Sequence, residues 1–242
     1  MSDRSITAYS LPERLSSYDR DMELMHPNRS KMARVVLELL PLPVTRALRA
    51  LDLGVGTGYL AAQFLERFGT SHVWALDGSQ AMLDLAAVRL DAYGDRVSYV
   101  RGDYRQVANL VGSAAPFDVV LSAFALHHVN AAEKADVVRQ VRDLLRPGGW
   151  FLNADILRAE SPQLERRVQE LRVDGIVRRN DGREERFRDA IATRRHLDDL
   201  EAADGDQPLS LQDELSVLAK AGLRESGAFW IEYREAVTGG IA

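Results

Sequence analysis

The chain has 242 residues, a formal net charge of −5 and a hydrophobic content of 46%, which predicts one domain with a sizeable core. Its acidic balance makes nucleic acid an unlikely partner, because phosphate binding depends on basic patches. The absence of cysteine excludes disulfides, thiolate metal sites and cysteine nucleophiles. No apolar run approaches membrane-spanning length and residues 1–4 begin no signal-peptide pattern, so we expect a cytoplasmic protein without a membrane segment.

Helices are predicted before the main pattern of the chain begins. Residues 1–8 are expected to form a disordered tail, and residues 12–25 carry scattered apolar positions that favour a helix. A second helix is predicted from Asn28 as its cap to Leu40, with an apolar face at helical spacing.

A glycine-rich turn follows the first strand pattern. Residues 50–60 read Ala-Leu-Asp-Leu-Gly-Val-Gly-Thr-Gly-Tyr-Leu, an apolar run that ends in Gly54, Gly56 and Gly58. Glycines allow the unusual dihedral angles of such a turn and let a ligand lie against its backbone. The next helix points free N–H groups at the same place. The dinucleotide fingerprint would have its third glycine at Tyr59, so this turn departs from it.

A carboxylate follows the second apolar run, residues 73–76. This residue, Asp77, would stand at the tip of the second strand, where a carboxylate can accept hydrogen bonds from both ribose hydroxyls of a nucleoside. A purely structural turn is the alternative interpretation of the glycines, and their pairing with Asp77 disfavours it.

Short apolar segments alternate with helical ones through the middle of the chain. Strands are predicted near residues 49–53, 72–76, 97–101, 118–122 and 149–154, with helices near 58–68, 79–91 and 131–145. This alternation predicts an α/β fold with a parallel sheet covered on both faces. Ligands bind beyond the carboxyl ends of such strands, where Gly54, Asp77, Asp103 and Ser122 fall.

Five segments in order resemble the motifs of class I S-adenosylmethionine (SAM) dependent methyltransferases: residues 51–60, 74–79, 100–104, 117–122 and 144–152. The resemblance implies a doubly wound, seven-stranded, mostly parallel sheet, SAM as cofactor, S-adenosylhomocysteine as product, and methyl transfer. It implies cofactor contacts at Tyr18, Asp52, Gly54, Gly56, Thr57, Gly58, Asp77, Gly78, Met82, Gly102, Asp103, Tyr104, Ser122 and Ala123. In relatives the acid at Asp77 holds the ribose, and the acid at Asp103 contacts the adenine amine.

Residues 156–207 leave the alternating pattern. They are dense in charge of both signs, which indicates a solvated face, and they predict two amphipathic helices broken near residues 180–182. An insertion after the fifth strand would roof the acceptor pocket together with the N-terminal helices. We predict one domain with four parts: N-terminal helices over 1–45, a SAM-binding core over 46–155, a helical cap over 156–207, and a helix and strand pair over 208–242.

Three residues are candidates for a general base. His127 and His128 follow the fourth strand, and Asp155 ends the fifth. Loop packing is the alternative for the histidines, and capping of the strand end is the alternative for Asp155. No metal site is predicted, because the histidines have no third ligand at a recognisable spacing.

The leading functional hypothesis is a methyltransferase of class EC 2.1.1 that modifies O, N or C of a small-molecule metabolite, as a monomer or homodimer. Two alternatives stay open. One is other SAM chemistry on the same fold, either carboxy-SAM formation or aminopropyl transfer, and the other is a non-catalytic SAM-binding partner protein. Residues 123–125 read Ala-Phe-Ala where DNA base-amine methyltransferases carry Pro-Pro-aromatic, which disfavours that group.

Overall fold

The computed structural model describes residues 3–242, except the side chains of residues 3–5, 12 and 13. Its helices are α1 (Asp3–Ala8), α2 (Pro12–Met25), α3 (Arg29–Leu39), α4 (Tyr59–Arg67), α5 (Gln80–Leu90), α6 (Val107–Val111), α7 (Ala131–Leu144), α8 (Pro162–Asn180), α9 (Ala190–Asp204) and α10 (Leu211–Lys220). Its strands are β1 (Arg49–Leu53), β2 (His72–Asp77), β3 (Val97–Arg101), β4 (Phe117–Ala123), β5 (Leu145–Ile156), β6 (Arg224–Glu232) and β7 (Glu235–Ile241). No helix of the described chain is long and apolar enough to cross a membrane.

The seven strands form one sheet in the order β3-β2-β1-β4-β5-β7-β6. The first five pair in parallel, whereas β7 runs antiparallel to both β5 and β6. This confirms the predicted α/β class and the seven-stranded, mostly parallel sheet. The chain order reverses between β1 and β4, so their carboxyl ends open the crevice in which such sheets bind ligands.

Alternation along the strands places one apolar core on each face of the sheet. In β4, Val120 packs into the core that includes α7 and α10, and Val119 packs into the core beneath α3, α4 and α5. Both side chains are fully buried, which is the pattern of a central strand covered on both sides.

The helices of the insertion rest on a smaller third core. It joins Met25 of α2 to Val173 and Ile176 of α8 and to Leu197 of α9. Both insertion helices therefore pack against the N-terminal region, and α8 ends where Asp181 adopts the left-handed conformation with φ 49°. The break predicted at residues 180–182 is present.

Two sequence-based expectations differ from the structure. Residues 3–8 form helix α1, whereas a disordered tail was expected, and Ile6 is half-buried against the main core. The remainder of that expectation, residues 1–2, lies outside the described residues. Strand β5 also begins earlier, at Leu145, because a bulge carries its pairing with β4 across the Pro147–Gly149 turn.

Candidate active site

The glycine turn forms the floor of a cleft at the carboxyl end of the sheet. Gly54, Gly56 and Gly58 all have positive φ, at 70°, 53° and 79°. A Cβ atom on Gly54 would lie only 2.5 Å from the Cβ of Ala125, so this position excludes any side chain. The turn thus leaves backbone open to the cleft and passes directly into α4 through Gly58.

Asp77 joins the turn to the start of α5. Its Oδ2 accepts a hydrogen bond from the Gly56 N–H at 2.9 Å, and its Oδ1 accepts one from the Ser79 N–H at 2.8 Å. The side chain is buried, and burial raises the pKa of its carboxyl above the usual value despite these bonds. A carboxylate has about four lone-pair positions, so further acceptor capacity remains for a ligand over the turn.

Asp52 lies deeper in the same cleft. It is 1% exposed, and its Oδ2 has no hydrogen-bond partner among the described residues. Burial, and then the charge of Asp77, raise the pKa of Asp52 to about 7. An unpaired buried carboxyl oxygen in a cleft wall fits a ligand that carries a positive charge or an N–H donor.

Asp103 and Tyr104, which were predicted to contact the adenine, both already have hydrogen-bond partners within the protein. Asp103 accepts a hydrogen bond from Arg105 Nε at 2.6 Å, and this outweighs burial, so the pKa of Asp103 is lowered. Tyr104 is fully buried and donates its hydroxyl to the Ala125 carbonyl at 2.8 Å. The side chain of Tyr104 therefore lies in the core and does not line the cleft.

Ser122 likewise differs from the expected cofactor contact, since its buried hydroxyl donates to the Leu53 carbonyl at 3.0 Å. The hydroxyls of Tyr104 and Ser122 are buried, and each donates to a backbone carbonyl of a segment that forms the cleft. Neither hydroxyl therefore points into the opening. Of the other predicted cofactor residues, those that line the cleft are Tyr18, Gly54, Gly56, Thr57, Met82 and Ala123. Those that do not are Gly58, Gly78 and Gly102.

Tyr18 and its neighbour Asp19 hold helix α2 over the glycine turn. Asp19 accepts hydrogen bonds from Thr57 Oγ1 at 3.0 Å, from Arg29 at 2.8 Å and from Arg89 at 2.7 Å. The Tyr18 hydroxyl lies 3.9 Å from the position that a Cβ on Gly56 would take. Tyr18 therefore lines the cleft, and Asp19 ties helix α2 to the glycine turn from behind it.

The cleft is narrow in this conformation. Its free volume is about 50 Å³, whereas ligand pockets typically measure about 300–1,000 Å³. Tyr9 and Tyr18 fill much of the opening, and Ser79 donates its hydroxyl to the Tyr9 carbonyl at 2.9 Å. The chemistry of the cleft fits SAM, and entry of a molecule of that size requires the segment around Tyr9 to move.

A second, larger cavity of about 520 Å³ adjoins the cleft. It is covered by the N-terminal helices and by residues 156–207, which together are called the roof. Tyr9, Tyr18, Met22 and Phe124 line both spaces, and His127 lines the larger one. Its outer wall comes from α2, α8, α9 and the segment that follows α9. A small molecule in this cavity would face a ligand in the cleft across those four shared side chains.

Two of the three candidate bases meet directly. His127 Nδ1 lies 2.6 Å from Asp155 Oδ1, and both side chains are buried. On the other side, His127 Nε2 lies 3.6 Å from Asp206 Oδ1. Burial lowers the pKa of His127, but the charges of Asp155 and Asp206 outweigh it and the pKa is raised. Burial would raise the pKa of Asp155, but the charge of His127 lowers it to about 2.

His128 turns towards the roof. Its Nδ1 lies 3.0 Å from Asp206 Oδ1, and its Nε2 lies 3.4 Å from the Tyr9 hydroxyl. Burial and the neighbouring His127 lower its pKa. Within residues 3–242, His127, His128 and Asp206 form the one group whose potential metal-ligating atoms lie within 4.8 Å of one another. Hydrogen bonds and ion pairs within the group account for this arrangement, and the absence of a metal stays a prediction.

Several residues near the cleft were not predicted from the sequence. The roof contributes Arg14, whose guanidinium is paired with Asp204, and Asp206, which contacts both histidines. Tyr9 also donates its hydroxyl to Asp204 at 3.3 Å. The sequence indicated only a charge-rich region, because no local spacing relates residues that lie so far apart in the chain.

Known proteins resemble this chain in both sequence and fold. The model of a methyltransferase domain matches residues 50–149. An uncharacterized methyltransferase of Geobacillus kaustophilus is 29% identical over 72% of this chain and 70% of its own length. Demethylmenaquinone methyltransferase of Leptospira interrogans is 34% identical over 48% of this chain and 45% of its own length. The structure of an O-methyltransferase family protein from Burkholderia thailandensis superposes with a TM-score of 0.67 and 19% identity, over 97% of this chain and 61% of that one.

These matches, together with the glycine turn and Asp77, define the class of protein. The matched domain over residues 50–149, the named relatives and the fold support a class I SAM-dependent methyltransferase, a class whose cofactor is SAM. It spans only about 61% of the length of the Burkholderia protein, and the aligned segment covers 45% of the Leptospira enzyme. The acceptors of those proteins are accordingly not assigned to this chain by the similarity.

Proposed function

We propose that this protein transfers the methyl group of SAM to a small molecule bound in the larger cavity. The observation that carries the proposal is this cavity of about 520 Å³, which adjoins the glycine cleft and shares four lining side chains with it. Its volume suits a small metabolite. We also propose that the protein acts in the cytoplasm, as a monomer or homodimer.

The donor would lie along the cleft. Asp77 has acceptor capacity for the ribose hydroxyls. The backbone at Gly56 leaves room for the methionine end, because the nearest atom to a Cβ placed there would be the Tyr18 hydroxyl at 3.9 Å. Asp52 offers a buried oxygen to a cationic group, and the ring of Tyr18 offers an aromatic face. When bound, SAM supplies an electrophilic methyl group on a sulfonium. The protein contributes alignment and exclusion of water, and orientation can supply up to roughly 7–11 kcal/mol in the best cases.

The acceptor would be an oxygen acid that gives its proton to His127. Asp155 holds the Nδ1 side of the ring, which leaves Nε2 for the proton of an acceptor hydroxyl in the cavity. The carboxylates of Asp155 and Asp206 would stabilise the resulting imidazolium. This is the arrangement in which a buried carboxylate orients a histidine base.

The proposal is tested with SAM that carries a label in its methyl group and, in parallel, a label in the methylene carbons of its methionine chain. The protein is incubated with each and with a metabolite extract. We expect the methyl label in a small-molecule product, together with S-adenosylhomocysteine. Movement of the carbon chain of SAM would indicate aminopropyl transfer, and a carboxylated cofactor would indicate carboxy-SAM formation. SAM binding without any turnover would favour the non-catalytic alternative, and each of these three outcomes would overturn the proposal.

A further inference from the structure

Three guanidinium groups meet around one carboxylate behind the larger cavity. Arg172 pairs with Glu201 in close contact, Arg194 lies 3.4 Å from Glu201 Oε2, and Arg234 lies 3.5 Å from Glu201 Oε1. Each of these residues comes from a different element: α8, α9 and the turn between β6 and β7. The cluster is therefore a product of the tertiary structure and carries more positive than negative charge.

The charges of the cluster are largely withdrawn from water. The side chains of Arg172 and Arg234 are 9% and 7% exposed, and Glu201, at 26%, is the one carboxylate paired with both among the described residues. Arg194 has an additional partner, Asp198, at 2.7 Å, but that carboxylate is 64% exposed and well screened. Two buried cations thus share one partner, which is an unfavourable arrangement without a further anion.

The hydrogen bonds of the two buried arginines are also incomplete. Arg172 Nε and Arg234 Nε are buried and have no partner within residues 3–242. Burial and then the charge of Arg234 lower the pKa of Arg172 to about 10. Asp206 contributes some negative potential at Arg234, but its Oδ1 contacts the two histidines, and among the described residues it forms no ion pair with Arg234. The buried cations retain donors that an anionic ligand could satisfy.

Space for such a ligand is present on both sides of Arg172. This residue lines the 520 Å³ cavity, and together with Arg234 it lines an adjoining cavity of about 210 Å³. Two acidic side chains that line the smaller cavity are already paired with other groups. Glu235 bonds to His26 at 3.1 Å, and Glu232 bonds to Lys31 at 3.3 Å. Arg172 therefore faces both cavities, and Arg234 faces the smaller one.

We infer that the methyl acceptor carries an anionic group, a carboxylate or a phosphate, and that Arg172 binds this group with support from Arg234. This rests on the proposed function, because it assigns the larger cavity to the acceptor. Such a molecule would present its hydroxyl to His127 and its anion to the guanidinium groups. Planar guanidinium groups bind carboxylate and phosphate with two parallel hydrogen bonds, which would also orient the acceptor.

The test measures binding to the whole protein by calorimetry at constant ionic strength, without SAM. The probes are 4-hydroxybenzoate, phenyl phosphate, and methyl 4-hydroxybenzoate as the uncharged control. We expect one or both anions to bind and the ester to bind at least tenfold more weakly. The first two probes distinguish carboxylate from phosphate. Because this experiment involves no methyl transfer, its result is independent of catalysis.

Matched variants locate the site. Arg172→Gln should weaken anion binding by about 10- to 150-fold, and Arg172→Lys should recover part of it. Glu201 keeps two cationic partners in Arg172→Gln, so we expect the variant to fold, and a thermal melt checks this. Arg167→Gln is the control, since Arg167 lies on the same helix, is 62% exposed and, among the residues that the structure describes, pairs only with Glu170. Its anion affinity should equal that of the parent protein.

Two results would overturn the inference. One is the absence of binding by either anion at millimolar concentration, and the other is unchanged anion affinity in a folded Arg172→Gln variant. Efficient methylation of neutral acceptors, with anionic analogues excluded, would also refute it while leaving the proposed methyltransferase function intact. Conversely, anion binding at Arg172 in a protein that never transfers a methyl group would support the site and refute the proposed function.

Discussion

The sheet edge and the roof are built on different principles. At the sheet edge, Asp77 is held by backbone N–H groups of neighbouring turns, and Gly54 is required by a close backbone approach. In the roof, side chains distant in sequence hold one another: Arg14 pairs with Asp204, and Arg186 bonds to Asp21 at 2.6 Å. The cofactor side is thus fixed by local backbone geometry, whereas the acceptor side depends on long-range ion pairs.

This difference explains how one fold can keep a cofactor and vary an acceptor. A backbone-built cleft has few side chains that can change without loss of the turn. A roof held by side-chain ion pairs can acquire new pairs through side-chain substitution, without any change to the backbone that forms the cleft. The following predictions test this division, from the largest expected effect to the smallest.

The largest effect is expected at the junction of the two regions. His127→Gln should lower the methylation rate by about 10²- to 10⁴-fold with SAM affinity unchanged, because general-base catalysis contributes that much. In the parent protein, the rate should rise with pH through the raised pKa of His127, since only the neutral ring accepts a proton. Rates across pH and calorimetric SAM affinity measure both.

His72→Gln is the matched control. His72 begins β2, at the end of the strand away from the cleft, and it bonds to Ser98 at 2.8 Å. It should leave both quantities unchanged. A His127→Gln variant with the rate and pH profile of the parent would show that His127 only packs the loop.

The next effect concerns a buried acid on the backbone-built side. The pKa of Asp52 rises from 3.8 to about 7 in the folded protein, so its neutral form favours folding and this contribution is lost as pH rises through 7. Asp52→Asn should therefore stabilise the protein above pH 7, by up to about 4 kcal/mol at 1.36 kcal/mol per pKa unit. Below pH 3.8 the two proteins should have similar stability.

Urea unfolding at pH 8 and at pH 5 measures this difference. The gain should be larger at pH 8, since the carboxyl is already mostly protonated at pH 5. An equal free energy of unfolding for both proteins at pH 8 would mean that Asp52 is not destabilised by burial.

A smaller effect is expected for Asp77, the acid that we predict to bind the ribose. Asp77→Asn removes the charge and keeps one acceptor oxygen, so one of the two backbone N–H groups loses its bond and a thermal melt must confirm folding. Charge-assisted hydrogen bonds contribute roughly 1.5–3 kcal/mol. SAM affinity should fall by about 10- to 150-fold. Calorimetry measures it, with Asp84→Asn on the exposed side of α5 as the control. Unchanged affinity in a folded Asp77→Asn protein would remove Asp77 from the cofactor site.

The smallest effect concerns movement of the roof. The cleft must widen around Tyr9 to admit SAM, and only a few side-chain contacts hold that residue. We expect Tyr9→Ala to raise SAM affinity severalfold, and residues 156–207 to exchange backbone hydrogens faster than residues 50–76 in the free protein. Hydrogen exchange of the free and SAM-bound protein measures the second point. Equal protection of both segments would show a rigid roof.

Much of the fold could be predicted from the sequence, for reasons that the structure makes clear. Strands β1 and β3 and helix α2 begin and end where the pattern indicated, because short apolar runs and prolines act locally. The glycine turn and Asp77 were recognisable, since their roles depend on neighbours in the chain. Tyr104 and Ser122 were predicted at the cofactor, and only the structure reveals that their hydroxyl groups bond to buried backbone carbonyls.

What the sequence determined by itself was the family, the sheet and the cofactor edge, because each follows from a periodic pattern or from a motif within one βα unit. Only the tertiary structure decided the acceptor side. Asp206 contacts His127 from the segment after α9, far along the chain from the loop after β4 that carries His127. Arg172 and Arg234, which lie on different elements, both pair with Glu201. Side-chain charges act through space over several ångströms, so no spacing in the sequence encodes which of the many arginines and acids will meet.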